Sequence, residues 1–312
     1  MRLRPALPLL LALLAACPAP GGKAPRQEDT PPSAGTAAAD TTPPLELRFL
    51  EVGQGDAVLI RSAGRVALVD AGPSDRVAER LRALGVDTVH LLVASHNHSD
   101  HIGGADAVLE GFPVRNYLDN GHPATTSIQK RVLGLVEEEG AGYLQASPRT
   151  ITLGGAKLRV LPTPPDVGGD EQNNRSVVLL LERGAFHALL SGDSEEEEIE
   201  ALLHSPDALP DVDVLKAAHH GSRNGVTEPW LARLRPEVVV ISAGEGNVYG
   251  HPHREALERY CTGGRRVFRT DLHGEVVVTV DTRGRYTVRT EGDSLSATPA
   301  AQATACSRAG RR

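Results

Sequence analysis

The sequence predicts an α+β fold, an αββα sandwich in which two mixed β-sheets pack face to face and helices cover their outer faces. The first observation behind this prediction is that short apolar strands alternate with helical stretches along most of the chain. The second is that three early strands, Leu45–Val52, Ala57–Arg61 and Val66–Asp70, are joined by tight turns. Such turns join antiparallel strands, whereas the alternative, a doubly wound parallel sheet, needs a helix at every crossover.

The later elements are predicted from apolar runs and from local start signals, such as the proline that opens the first helix. The predicted helices cover Pro73–Leu84, Ile102–Leu109, Thr125–Glu139, Glu195–His204, Pro229–Leu234 and His253–Thr262. The predicted strands cover Thr88–Ala94, Val114–Leu118, Lys157–Leu161, Ser176–Glu182, Ala185–Leu190, Val212–Ala217 and Glu237–Ser242, with closing strands between Val267 and Val288. In the fourth helix, the acidic run Glu195–Glu198 is predicted to be a solvated face.

The two ends of the chain differ in composition from the rest. Residues 1–17 combine two arginines, a short apolar stretch and the run Leu14-Ala15-Ala16-Cys17, which resembles a bacterial lipobox. The resemblance implies lipidation of Cys17 and an exported, membrane-anchored lipoprotein in the periplasm or at the cell surface; an ordinary signal peptide with an incidental cysteine is the alternative. Residues 18–44 are predicted to be a disordered Pro/Ala-rich tether, residues 45–290 one folded domain, and residues 291–312 a disordered tail.

Charge and cysteine content narrow the classes of function. The formal net charge is −7, so the protein has no general electrostatic attraction to nucleic acid or to an anionic membrane, although metals could still bind a phosphate locally. Cys261 and Cys306 belong to no zinc-binding Cys-x-x-Cys pair. A disulfide between them is permitted outside the cytoplasm, but Cys306 lies in the polar tail, which does not favour the pairing.

The strongest chemical signal is the run His96-Asn97-His98-Ser99-Asp100-His101, which follows an apolar strand. His96 and His98 are two residues apart on an extended segment, so both imidazoles point the same way and can reach one ion. Asp100 and His101 offer an oxygen and a nitrogen to a second ion. Imidazole and carboxylate ligands without cysteine suit zinc, iron or manganese. The alternative is a polar surface loop with incidental histidines, which does not explain why these residue types are so concentrated.

This run resembles the metal-binding motif of metallo-β-lactamase-fold hydrolases. More narrowly, motifs in the same order across residues 45–290 resemble the hydrolase-like domain of the competence protein ComEC, without its membrane channel. The motifs are Phe49–Ala57, Val69–Gly72, Ser95–Gly104, Asn173–Leu179, Leu190–Asp193, Val214–Ser222 and Tyr249–Pro252. The resemblance implies a stand-alone, secreted relative of that domain with a metallo-β-lactamase-like fold.

By this resemblance, the second half of the chain completes the metal site. Asp193 corresponds to the carboxylate that bridges the two metals; a helix N-cap is its alternative role. One of His219 and His220 is implied to bind the second metal and the other to face the substrate, and the sequence leaves open which. Asn174 stands where the wider family supplies a further histidine to the first metal. Asn174 is therefore predicted to contact the substrate, and the first metal to be bound more weakly.

Other residues of the matched motifs are given supporting roles. His251 is implied to line the pocket, a solvent-exposed loop histidine being the equal alternative. Lys216 and Ser222 are predicted to contact the substrate, although an interior salt bridge is an equal alternative for Lys216. Asp56 and Asp70 are predicted to support the metal loops by hydrogen bonds rather than to bind metal.

The function predicted from these residues is hydrolysis by a metal-bound hydroxide outside the cytoplasm. Two divalent ions are expected, zinc first and manganese as the alternative, with Asp100 or His251 protonating the leaving group. The ComEC-like resemblance points to phosphodiester bonds, with DNA as the first candidate substrate and competence as the implied setting; a small phosphodiester or a phosphocholine-type ester is a further candidate. The alternatives are hydrolysis of a lactone, thioester or β-lactam, and a non-catalytic metal-stabilised protein that binds DNA or the cell surface.

Overall fold

A computed structural model describes residues 43–124, 126–162, 168, 172–205, 209–291 and 305–306. The predicted signal peptide with Cys17, nearly all of the predicted tether and most of the predicted tail lie outside the described residues, so those predictions stay predictions. None of the helices in the described ranges is long and apolar enough to cross a membrane.

One mixed sheet is built from the first part of the domain and from its end. Its eight strands are β1 Leu45–Phe49, β2 Val58–Ser62, β3 Arg65–Val69, β4 Leu91–Val93, β5 Asn116–Asp119, β6 Gly142–Gln145, β14 Val276–Val280 and β15 Tyr286–Thr290. They lie in the order β15-β14-β1-β2-β3-β4-β5-β6. The strands from β15 to β3 pair antiparallel, and those from β3 to β6 pair in parallel.

The second mixed sheet is built from the chain between those two parts. Its seven strands are β7 Arg149–Leu153, β8 Ala156–Val160, β9 Leu179–Arg183, β10 Phe186–Leu190, β11 Val214–Lys216, β12 Val238–Ile241 and β13 Arg266–Arg269. They lie in the order β13-β12-β11-β10-β9-β8-β7. The strands from β7 to β10 pair antiparallel, and those from β10 to β13 pair in parallel.

Helices cover the outer face of each sheet. They are α1 Arg76–Ala83, α2 Ser99–Ile102, α3 Ala105–Gly111, α4 Ser127–Glu138, α5 Glu196–Leu203, α6 Glu228–Leu234, α7 Arg254–Tyr260 and α8 Thr270–His273. One apolar core lies between the sheets, a second under α1 to α4, and a third under α5 to α7. Burying each apolar sheet face requires these layers, and the predicted sandwich of two mixed sheets flanked by helices is confirmed.

The structure differs from the prediction at several elements. The strands β6 and β7 were not predicted. The predicted helix Ile102–Leu109 is two helices, α2 and α3, which meet at Gly103 and Gly104. A Cβ at Gly104 would lie 2.3 Å from the carbonyl oxygen of Ser74, so the backbone passes too close there for any other residue.

A disulfide joins Cys261, directly after α7, to Cys306, with their Cα atoms 6.0 Å apart. Ala305 is fully buried in the core under α5 to α7, which explains why a cysteine in a polar tail finds a partner. The sequence did not favour this pairing, because the contact that holds Cys306 near the domain is the burial of the single small residue Ala305, which leaves no pattern in a polar tail.

Candidate metal centre

The candidate metal centre lies where strands of both sheets end. Asp70 follows β3 and the run from His96 to His101 follows β4 in the eight-stranded sheet. Asp193 follows β10, and His219 and His220 follow β11, in the seven-stranded sheet. Each pair of strands is parallel, so its carboxyl ends lie at one edge of the sheet. The fold therefore brings together the two halves of the predicted ligand set from different sheets.

Four side chains converge on one point, Asp100, His101, Asp193 and His220, and one ligand atom of each lies within 4.8 Å of the others. Asp193 Oδ2 is 3.2 Å from Nε2 of His101 and 3.3 Å from Nε2 of His220. His220 Nε2 is also 3.2 Å from Asp100 Oδ2. His219 Nε2 is farther away, 3.9 Å from Asp193 Oδ2. The geometry therefore favours His220 as the histidine of this cluster, which the sequence left open.

The outer nitrogens of the two clustered histidines are held by hydrogen bonds. His101 Nδ1 donates to Asp70 Oδ2 at 2.9 Å, and His220 Nδ1 donates to the carbonyl oxygen of Ser242 at 3.1 Å. In a neutral imidazole, Nε2 then carries the lone pair, and both lone pairs face Asp193. Asp70 also accepts hydrogen bonds from the backbone N and the Oγ of Ser95, at 2.7 and 2.8 Å. This is the arrangement of a carboxylate that orients a metal-binding histidine.

The donor atoms fit a divalent cation. Among the described residues, His101 Nε2, His220 Nε2 and Asp193 Oδ1 are buried polar atoms without a hydrogen bond. The two Nε2 atoms lie 3.2 to 3.3 Å from the Asp193 carboxylate, so positive charge must lie between them, either as protons on the rings or as a metal ion in their place. Imidazole nitrogen and carboxylate oxygen, without sulfur, are donors that zinc and manganese accept.

Electrostatics around the cluster favour added positive charge. In the described part of the chain, four carboxylates and one lysine meet there: Asp56, Asp70, Asp100, Asp193 and Lys216. Burial acts to lower the pKa of His101, but the charges of Asp193 and Asp70 outweigh it and hold that pKa well above its usual value. Burial likewise acts to raise the pKa of Asp193, but His101 and His220 hold it well below its usual value. The carboxylates stay charged and require cations beside them.

The backbone of the site is strained at three residues. Asp70, His219 and His220 have φ angles of 61°, 49° and 52°, in the left-handed region that residues other than glycine seldom adopt. Such conformations persist only where surrounding contacts hold them, and they concentrate at functional sites. Gly55 serves the site differently, since a Cβ there would lie 2.3 Å from the carbonyl oxygen of Asp100.

His96 and His98 form a second pair of imidazoles beside the cluster. His96 Nε2 is 3.0 Å from His98 Nδ1, and the ring centroids of His96 and His101 are 4.1 Å apart. Burial, followed by the charge of His101, holds the pKa of His96 well below its usual value. The His96 ring is therefore neutral, the form that donates a lone pair to a metal. That this pair holds a first metal stays a prediction, and the pair offers only two imidazoles for it.

Asn174 lies outside the cleft and does not complete that first position. Its side chain is fully buried, and its Oδ1 accepts hydrogen bonds from the backbone N of Glu195 and of Glu198, at 3.1 and 3.4 Å. Asn174 therefore caps the N-terminus of α5. Its contact with substrate stays a prediction that this geometry does not support.

Lys216 and Ser222, the other residues predicted to contact substrate, are also buried and do not line the cleft. Lys216 forms an ion pair with Asp56 and donates a hydrogen bond to the carbonyl oxygen of Gly192 at 3.0 Å. Ser222 Oγ is 3.4 Å from Nδ1 of His253. Of the two roles considered for Lys216, the interior salt bridge is the one that its position favours.

A cleft of about 310 Å³ opens beside the cluster. It is lined by Gln54, His98, Ser99, Asp100, Asn173, Asp193, His219, His220, Tyr249 and His251. The ring centroid of His251 is 5.4 Å from that of His219 and 6.1 Å from that of His220. Burial, followed by the charges of His220 and His219, lowers the pKa of His251 to about 3, so its ring is neutral near pH 7. Of the alternatives for His251, the structure supports the pocket position.

Sequence reasoning missed several residues around the cleft, of which Glu195 is the most informative. Its Oε1 lies 3.3 Å from His219 Nδ1 and accepts a hydrogen bond from Asn173 Nδ2 at 2.8 Å. The prediction that Glu195–Glu198 is a solvated face is wrong at its two ends, because Glu198 is fully buried and the Glu195 side chain is 13 % exposed. The available signal was the position of Glu195, two residues after Asp193.

Comparison with known proteins agrees with this geometry. Residues 50–245 match the family described as the metallo-beta-lactamase superfamily. ComE operon protein 3 of Bacillus subtilis is 29 % identical over 257 residues, which cover 74 % of this chain and 32 % of that protein. Competence protein ComA of Neisseria gonorrhoeae is 29 % identical over 228 residues, which cover 72 % and 30 %. The chain thus spans about a third of the length of these curated relatives.

Among solved structures, the metallo-beta-lactamase fold protein YhfI from Bacillus subtilis superposes with a TM-score of 0.51 at 14 % identity. The match covers 79 % of this chain and 100 % of that chain, and at this identity it speaks for the fold alone. The family match, the ComEC-like relatives and two mixed sheets with a buried His/Asp cluster confirm the resemblance seen in the sequence: the chain belongs to the metallo-beta-lactamase superfamily.

Proposed function

We propose that the protein is a metal-dependent hydrolase that cleaves phosphodiester bonds outside the cytoplasm. The observation that carries this proposal is the convergence of Asp100, His101, Asp193 and His220 at the edge of an open cleft. His96 and His98 lie beside them as ligands of a first metal position. Zinc is proposed first and manganese as the alternative, because both accept imidazole and carboxylate donors.

Divalent ions bound there would polarise the substrate and lower the pKa of water to about 7. The remaining chemistry belongs to side chains of this protein. Asp70 and the carbonyl of Ser242 keep Nε2 of His101 and of His220 turned toward Asp193. Asp100 is held deprotonated beside His220, and the low pKa of His251 leaves its ring neutral. Asp100 and His251 both line the cleft, so either is placed to pass a proton from the attacking water to the leaving group once bound metal and substrate have changed its surroundings.

The two metal positions are proposed to differ in affinity. The cluster with His220 combines two imidazoles and two carboxylates, and outer hydrogen bonds orient its histidines. The pair His96–His98 lacks a third imidazole, because Asn174 is engaged at the start of α5. The ion held by His96 and His98 should therefore leave first when a chelator is added.

A phosphodiester substrate, with DNA as the first candidate, is supported by the relatives, one of which is named a competence protein. The net charge of −7 supplies no general attraction for the DNA backbone, so binding would depend on the metals and on the cleft. An exported location is supported by the Cys261–Cys306 disulfide, since disulfides persist in oxidising compartments. We propose lipidation of Cys17 as the membrane anchor.

The test compares substrates of both classes with zinc and with manganese. Bis(p-nitrophenyl) phosphate and single- and double-stranded DNA are assayed beside a lactone, a thioester and a β-lactam. We expect phosphodiester turnover that is lost on chelation and restored by metal. His98→Ala should lower turnover by at least about 100-fold. Loss of a residue that only hydrogen-bonds to a metal ligand already lowers metal affinity or activity by about 10- to 100-fold.

His204→Ala is the matched control, because it removes an exposed histidine on the far end of α5 and should leave turnover unchanged. Turnover confined to the lactone, the thioester or the β-lactam would show that the protein hydrolyses carbonyl substrates and not phosphodiesters. A purified protein that holds no metal and stays inert with every divalent ion would overturn the enzyme and favour a binding protein.

A further inference from the structure

The rim of the cleft exposes an aromatic side chain that the proposed chemistry does not use. Among the described residues, the large hydrophobic side chains exposed to solvent are Tyr143, Val248 and Tyr249. Tyr249 is 61 % exposed and lines the cleft, and its neighbour Val248 is 93 % exposed. Single exposed hydrophobic residues such as Val248 are common on protein surfaces, but an exposed ring that lines a polar cleft can also stack on a ligand.

Tyr249 continues a row of rings that begins at the metal cluster. The rings of His220 and His251 are inclined by 25° with centroids 6.1 Å apart. The rings of His251 and Tyr249 are inclined by 23° with centroids 5.7 Å apart. A planar group placed beside Tyr249 would extend this row, at the distance and inclination at which aromatic rings attract each other.

The loop that carries Tyr249 is held in place by hydrogen bonds. Asn247 Nδ2 donates to the carbonyl oxygens of Gly244 and His251 at 2.9 and 2.6 Å, and Asn247 Oδ1 accepts from His251 N at 2.9 Å. Gly244 N donates to Gln54 Oε1 at 3.1 Å, which ties the loop to the opposite sheet. The backbone that carries the tyrosine is therefore held in place, so ordering this loop costs little conformational entropy when a ligand stacks on the ring.

The polarity of the cleft indicates what the planar group belongs to. The cleft lining within the described residues contains neither lysine nor arginine, so a nucleic-acid backbone finds no cationic track there. The proposed metals would take one phosphate, and the ring surface offers a further contact that needs no charge. A base inside a duplex is already stacked on its neighbours, whereas an unpaired base has a free face.

Resting on the proposed phosphodiesterase function, we propose that Tyr249 is a stacking platform for an unpaired nucleobase next to the bond that is cleaved. Single strands and nucleotide ends are then the preferred substrates over duplex DNA. Tyr249 is a specificity-determining residue and takes no part in bond cleavage.

The experiment compares thymidine 5′-(p-nitrophenyl phosphate) with methyl p-nitrophenyl phosphate, which has the same leaving group and no base. The wild-type protein should prefer the thymidine ester. Tyr249→Ala should reduce that preference, the ratio of the two kcat/KM values, by about tenfold or more, chiefly through KM for the thymidine ester. Tyr249→Phe keeps the ring and should keep the preference. Val248→Ala, a change at the neighbouring exposed position, is the matched control and should behave as wild type.

A binding measurement separates failure of this proposal from failure of the proposed function. Fluorescence anisotropy is measured for a short oligo(dT) strand and for its abasic counterpart, with zinc present. Tighter binding of oligo(dT), lost in Tyr249→Ala, supports the platform even where neither ester is hydrolysed, a result that would reject only the phosphodiesterase. Equal binding of the two strands overturns the platform. So does an unchanged kcat/KM ratio in Tyr249→Ala with kcat lowered for both esters, because Tyr249 would then only position His251.

Discussion

At the residue scale, the outer contact of each histidine decides what its other nitrogen can do. His101 donates Nδ1 to Asp70, and His220 donates Nδ1 to the carbonyl oxygen of Ser242. Each bond selects the tautomer whose Nε2 lone pair faces Asp193. Asp70 adopts a left-handed backbone conformation to make its contact, which is a cost that the Ser95 and His101 hydrogen bonds offset.

We expect Asp70→Asn to weaken metal binding at the cluster by about 10- to 100-fold. The neutral amide accepts a weaker hydrogen bond from His101 Nδ1 than the carboxylate does, so it holds the His101 tautomer less firmly. Competition with a chromophoric zinc chelator measures this loss. Asp106→Asn is the control, because this partly exposed aspartate of α3 pairs with Arg131 of α4, and the variant should bind zinc as wild type does. Equal zinc affinity in Asp70→Asn and wild type would show that Asp70 does not orient the ligand.

The ligand types were predictable from sequence because they are local, whereas their partners are not. His96, His98, Asp100 and His101 sit in one short run, and that spacing alone predicts a metal site. The choice between His219 and His220 depends on Ser242, which comes from a different strand. Asn174 was matched to a ligand position by resemblance, and its role as a cap depends on where α5 begins. Contacts made across the fold leave no local pattern in the sequence.

At the element scale, α5 is anchored by polar groups rather than by apolar packing alone. Asn174 caps its first turn, and Glu198 faces inward and is fully buried. Burial raises the pKa of Glu198 to about 8. An acidic run at a helix start normally predicts a solvated face, and the sequence contains no sign that the helix turns this one residue inward.

We expect the stability of the protein to fall between pH 4.5 and pH 8 through Glu198. The folded pKa lies above the ordinary 4.5, so over this window the folded state keeps a proton that the unfolded chain has released. Glu198→Gln should remove this pH dependence. Its free energy of unfolding, compared with that of the wild type, should therefore rise by up to about 1.4 kcal/mol for each pH unit between these limits.

Urea unfolding at pH 5, 6.5 and 8 measures that difference. Glu200→Gln, on the exposed side of the same helix, should show no such pH-dependent gain. A parallel pH dependence for Glu198→Gln and wild type would mean that Glu198 titrates normally.

The edge strands show another limit of prediction. Within the described ranges, strand β6 is mostly exposed and pairs only with β5. Strand β7, at the edge of the other sheet, alternates between partly buried and exposed residues up to a buried Leu153. Central strands such as β4 and β12 are continuous apolar runs that periodicity detects. An edge strand buries too little surface to show a comparable pattern.

At the scale of the whole molecule, the proposed location outside the cytoplasm can be tested at the N-terminus and at the disulfide. If Cys17 is lipidated, Cys17→Ser should move the protein from the membrane fraction to the soluble fraction after cell lysis. Thiol trapping should show Cys261 and Cys306 oxidised in wild-type cells, since the proposed export would place them in an oxidising compartment.

Membrane association that survives Cys17→Ser would rule out the lipid as the anchor. Free thiols at both Cys261 and Cys306 in intact cells would place the folded protein in the cytoplasm. The variant Cys306→Ser cannot form the disulfide and therefore serves as the reference for the trapping reaction.

The two sheets contribute unequal and incomplete shares of the proposed metal ligands. His96 to His101 follow a strand of one sheet, and Asp193 and His220 follow strands of the other. Neither half of the chain can hold the cluster before the halves have docked, so metal capture is coupled to completion of folding. Under the proposed export, a chain that crosses the membrane unfolded would acquire its ions on the far side. The identity of the metal is then decided by what that compartment offers during folding, since availability rather than affinity governs selection among divalent ions in cells.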